Sequence, residues 1–87
     1  MGKGDKQPTV KHLTDTDIDQ IFSRIGKNLK ERRKQVGISL DDLAYESGVS
    51  RSTLTRMLEG EEVNVRNLLK VVYSLGLSID QVISFKK

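Results

Sequence analysis

From Thr14 onward, apolar residues recur three and four positions apart. Ile18, Ile21, Phe22, Ile25, Leu29 and Val36 fall on one stripe of a helix, with Lys27, Lys30 and Lys34 on the opposite side. The spacing predicts a long first helix that stops at Gly37. Ser39 is placed to cap a second, short helix, with Asp42 three residues on completing a reciprocal box and Leu40, Leu43 and Ala44 on its apolar side. Ser50 starts a third helix, whose Leu54, Met57 and Leu58 face inward and whose run ends at Gly60. Asn64 opens a fourth, with Val65, Leu68, Leu69, Val72 and Leu75 at helical spacing before Gly76. Ser78 and Gln81 open a short fifth, carrying Ile79, Val82, Ile83 and Phe85. No segment alternates with the period of a strand. The fold class expected is all-α, five helices spanning residues 14–87. Residues 1–13 hold the single proline, Pro8, and no apolar period, and read as a flexible N-terminal arm.

Composition narrows what such a bundle does. Eighty-seven residues leave room for one domain and one modest core, with no space for a separate effector domain. The absence of cysteine removes disulfides, thiolate metal sites and thiol catalysis. His12 is the only histidine and has no second imidazole beside it, so no metal is expected. Serines and threonines abound, but none has a histidine partner in a coherent pattern, and no glycine-rich phosphate loop occurs, which argues against an enzyme and against a bound cofactor. No stretch approaches the roughly 20 apolar residues that span a bilayer, and Met1–Val10 lacks the apolar run of a signal peptide, so a cytoplasmic location is expected. The net charge of +3 is modest, and its placement matters more than its total.

The informative stretch is Ser39 to Gly60, SLDDLAYESGVSRSTLTRMLEG, two capped helices joined through Glu46-Ser47-Gly48-Val49. Gly48 sits where the chain leaves one helix and turns sharply, a place that favours the positive φ glycine adopts without steric cost. Val49 fills the angle, and a side chain larger than Ala44 would push the two axes apart. Two helices joined this way let the second enter the major groove of DNA by its N-terminal end, while the first lies across the phosphate backbone. The residues that would then meet bases are Arg51, Ser52 and Arg56.

With these features the sequence resembles the lambda-repressor-like (XRE/Cro-type) helix-turn-helix family. The resemblance is carried by Ile25-Gly26, Leu29, Arg33, Gly37, Ser39, Leu43-Ala44, Gly48-Val49-Ser50 and Leu54-Thr55, in order and at the right separations, and it covers roughly residues 18–83. It implies a double-stranded DNA-binding transcriptional regulator, a repressor acting as a homodimer on a pseudo-palindromic operator. By position it implies that Arg51, Ser52 and Arg56 read bases with help from Thr53, and that Thr55, Ser50 and Ser39 meet the phosphate backbone. Two residues depart from the family pattern. Leu40 stands where many members place a glutamine, and it donates no hydrogen bond. Leu58 stands where many place the glutamate that pairs with the arginine corresponding to Arg33, so Arg33 is expected to find another carboxylate or to reach solvent or phosphate.

Other charges have plainer readings. Lys27, Lys30 and Lys34 are the polar back of an amphipathic helix. Lys3, Lys6 and Lys11 are interrupted by Asp5 and belong to a passive tail. Glu59, Glu61 and Glu62 would repel phosphates if they faced DNA, which suits a position turned away or toward a second subunit carrying Arg66 or Lys70. Val82, Ile83 and Phe85 complete the core or meet that second copy. The competing function is a protein-binding module that keeps the helix-turn-helix shape and turns its third helix to another protein.

Overall fold

The computed structural model describes residues 12–83, which form five helices: α1 (Asp15–Val36), α2 (Leu40–Ser47), α3 (Arg51–Leu58), α4 (Val65–Ser74) and α5 (Ile79–Val82). No strand occurs among the described residues, so the expected all-α, five-helix class holds. Most of the proposed arm, and Phe85 at the other end, lie outside the described residues.

Each helix starts at a polar cap. Thr14 Oγ1 accepts from the Asp17 N–H at 3.0 Å and the Asp17 carboxylate accepts from the Thr14 N–H at 3.1 Å, a reciprocal pair that satisfies two otherwise orphaned donors. These hydrogen bonds to the backbone and hydroxyl of Thr14 hold the Asp17 carboxyl below its ordinary pKa. Ser39 Oγ accepts from the Asp42 N–H at 3.0 Å, so α2 has the forward half of the box expected there. Ser50 and Asn64 cap α3 and α4 through Thr53 and Asn67 N–H groups, at 3.2 and 2.8 Å. At α5 the Gln81 side chain accepts from the Ser78 N–H at 2.8 Å.

Leu29, Leu43, Leu54, Met57, Val71, Val72, Leu75 and Val82 are completely buried, and they draw all five helices onto one core. α2 packs on α3 and α4, α1 on α3 and α5, and α5 closes on α4. Two residues of the expected apolar stripes are exposed. Val36 is 49% exposed and Val65 is 66% exposed. They are the last residue of α1 and the first of α4. Val71, which the predicted stripe of α4 omits, is fully buried, because α4 meets α2 on one side and α5 on another. Tyr73, off the apolar side of α4, stands 60% exposed.

The crossing of α1 over the end of α3 is closer than a side chain permits. A Cβ on Gly26 would lie 2.8 Å from the Gly60 nitrogen and 2.9 Å from the Leu58 and Met57 carbonyl oxygens. On the other side of the same crossing, a Cβ on Gly60 would come within 3.0 Å of the Ser23 Cα. Gly60 also has φ +89°, so it is required both for its conformation and for the approach. Further along, α1 supplies donors to the ends of the other helices. Arg32 Nε donates to the Leu75 carbonyl at 2.9 Å and Asn28 Nδ2 to the Val82 carbonyl at 2.9 Å. Both acceptors belong to helix ends, whose last carbonyls lack intrahelical partners. Together the crossing and these bonds hold α1 as the brace against which the α2–α3 pair is set.

Candidate nucleic-acid interface

The α2–α3 pair is built around one backbone irregularity. Gly48 ends α2 at φ +73°, with its N–H donating to the Ala44 carbonyl at 3.0 Å, and Val49 and Ser50 lead the chain into α3. Val49, at 4% exposure, occupies the angle between the two helices, and Ser47 is buried beside it with its hydroxyl directed to the Ala44 carbonyl. Ala44 is half-buried and packs against the core, as a small residue at the α2 interface must.

α3 divides cleanly. Leu54, Met57 and Leu58 are buried, and Arg51, Ser52, Thr55 and Arg56 are exposed. The four exposed side chains share the outer face of one eight-residue helix, so a groove that admits the helix meets them together. Of the other residues expected at the interface, Ser39 and Ser50 are exposed at the N-caps of α2 and α3. Thr53 is half-buried, and its Oγ1 accepts from the Ser50 hydroxyl at 3.0 Å. Ser50 and Thr53 thus form a small local network at the start of α3, with their hydroxyls already engaged by each other and by the backbone.

The charges around α3 are uneven. Its first turn holds no acidic residue and begins with Arg51, a cation at the positive end of the helix dipole. The compensating anion comes from α2: the Asp41 carboxylate lies 2.7 Å from Arg51 Nη1. Both side chains remain largely in solvent, at 59% and 74% exposure for Arg51 and Asp41. Arg56 sits in the last turn of α3, where its charge agrees with the dipole. The exposed Glu59, Glu61 and Glu62 follow in the α3–α4 connection.

The two departures from the family pattern have structural answers. Leu40 is half-buried and packs against the core, so the first residue of α2 serves packing. Of the alternatives expected for Arg33, a carboxylate, solvent or phosphate, no carboxylate partner occurs among the described residues. Its Nη1 donates to the Ile38 carbonyl at 2.9 Å, and its Nε is buried without a hydrogen-bond partner. The cause is the left-handed turn at Gly37, φ +80°, which folds Ile38 back beside the last turn of α1 and brings a backbone acceptor within reach.

Sequence reasoning placed the exposed face of α3 and missed Asp41. No local spacing signals the pair, because residues 41 and 51 are on different helices and meet only through the angle set at Gly48. The glycine crossing was equally hidden, although Gly26 and Gly60 were each visible as glycines.

Residues 29–82 match the family model described as helix-turn-helix. Over 55 residues, 62% of this chain, the sequence is 38% identical to a protein of Haemophilus influenzae described as an uncharacterized HTH-type transcriptional regulator. The match takes in 54% of that relative, so the chain spans about half the length of the curated protein it resembles.

Proposed function

Because the chain belongs to the lambda-repressor-like helix-turn-helix family, we propose that it binds double-stranded DNA sequence-specifically and regulates transcription, as a homodimeric repressor. The observation that carries this reading is the division of α3, with three apolar residues buried and Arg51, Ser52, Thr55 and Arg56 together on the outer face. Arginine pairs bidentately with guanine O6 and N7, each pair discriminating by roughly 1–3 kcal/mol, while serine accepts several bases. Arg51 and Arg56 therefore dominate the sequence preference. Ser52 adds to it, with Thr53 at its margin, and Ser39, Ser50 and Thr55 face the phosphates. Two copies about a two-fold axis place their α3 helices in successive major grooves, roughly 34–36 Å apart, and select a pseudo-palindromic operator. Bound there, the dimer represses by occupying the site, and its place in the cell is the cytoplasm, with the DNA.

The test is a selection from randomised duplexes at two salt concentrations, with the bound fraction sequenced. An enriched inverted repeat, with affinity falling steeply as salt rises, is the expected result, since neutralised phosphates release counterions. A protein-binding module on the same scaffold, the reading favoured by the exposed glutamates after α3, enriches no sequence. Its binding to a partner changes little with salt.

A further inference from the structure

The pair between Asp41 and Arg51 contributes little to holding the fold. Both side chains are more than half exposed, neither belongs to the core, and each helix already has its own N-cap. An acidic side chain on the surface of a DNA-binding face also opposes the approach of phosphates. What it does locally is specific. A free arginine at the start of α3 samples many rotamers, and its charge stands at the end of the helix where the dipole disfavours a cation. Asp41, reaching across from the first turn of α2, meets Nη1 at 2.7 Å and offsets that charge. The guanidinium is a rigid planar fork of five donors. With one nitrogen held at the carboxylate, the side chain samples fewer orientations, and donors remain on Nη2 and Nε to meet the two acceptors of a guanine edge.

We propose that Asp41 is a positioning residue that orients Arg51 for base reading and at the same time weakens attachment to DNA of any other sequence. The inference rests on the DNA-reading function proposed above. It makes two effects of opposite sign depend on one carboxylate. Removing the charge while keeping the shape releases Arg51, so the preference for the base it reads falls. It also removes a repulsion from phosphates, so affinity for random duplex rises. A residue that served only to stabilise the domain would move both in the same direction.

The experiment compares the full chain, Asp41→Asn, Arg51→Ala and the double variant in selection from randomised duplexes, together with titration of each against one random-sequence duplex at low salt. Thermal melting of each variant checks that it folds. The expected result is that Asp41→Asn melts within a few degrees of the parent, binds random duplex more tightly, and loses roughly two- to five-fold of the preference at the base position that Arg51→Ala abolishes, the range an exposed ion pair supports. In the Arg51→Ala background the same asparagine then leaves base preference unchanged. If Asp41→Asn keeps or sharpens the preference at that position, the inference is overturned while DNA reading stands. If the parent chain itself enriches no sequence, the proposed function fails and takes this inference with it.

Discussion

Gly26 lies in the interior of α1, where helix propensity alone says that alanine is better by about 1 kcal/mol. The structure says the reverse. A Cβ at this position would stand 2.8–2.9 Å from three backbone atoms, the Gly60 nitrogen and the Met57 and Leu58 carbonyl oxygens. None of these is the end of a flexible side chain. They belong to the end of α3 and the turn that follows it, in which the Gly60 N–H itself donates to the Met57 carbonyl at 3.1 Å, so α1 and α3 must separate or that turn must deform. Overpacking of this kind costs typically 1–3 kcal/mol, and immobile backbone places it at the upper end. With the helical gain subtracted, Gly26→Ala is expected to destabilise the domain by about 2 kcal/mol. For a domain of this size each kcal/mol moves Tm by roughly 4–8 °C, so the melting point should fall by about 8–16 °C. Thermal unfolding followed by circular dichroism at 222 nm reads this directly. An unchanged or higher Tm would mean that propensity governs the position, and it would refute the close crossing of α1 on α3.

Other expectations follow from single contacts. Arg32→Met keeps an apolar stem and removes the donor to the Leu75 carbonyl. The loss of a charged, part-buried hydrogen bond should lower stability by about 1.5–3 kcal/mol, and a chemical denaturation midpoint equal to the parent's would contradict it. Arg51→Ala and Arg56→Ala should each weaken binding to the selected duplex by an amount worth roughly 1–3 kcal/mol while leaving Tm nearly unchanged, since both side chains are exposed. Parallel losses of affinity and melting temperature would assign them a structural role instead. Asp17, held below its ordinary pKa by Thr14, contributes stability that is present above the unfolded aspartate pKa of about 3.9 and is lost as pH falls through the lower folded value. Asp17→Asn should therefore melt below the parent at neutral pH and converge with it in acid. A gap that stays constant from pH 7 to strongly acidic solution would rule out the carboxylate as its source.

How much of this was legible beforehand depends on the range over which each cause acts. The helices, their order and their caps follow from spacing within four residues, the reach of capping hydrogen bonds and of the helical period. Ser39, Ser50 and Asn64 accordingly cap where the sequence places them. The exposed face of α3 was readable for the same reason, as the complement of Leu54, Met57 and Leu58. The period was less informative at helix ends. It names a side of a helix but not how far a neighbour extends along it, so Val36 and Val65 sit on the right stripe and remain in solvent.

The sequence by itself determined five helices, the caps at which they start, the glycine turn at residue 48 and the polar outer face of the helix that follows. The remaining features required the tertiary structure. Arg33 turned to a backbone carbonyl because Gly37 brought Ile38 back beside it. Arg32 and Asn28 became caps for helices more than forty residues away. Gly26 became obligatory once α3 ended against it. Asp41 found Arg51 only through the angle between α2 and α3. In each case the deciding contact joins residues whose separation in space is set by how whole helices pack, and no local spacing encodes that distance.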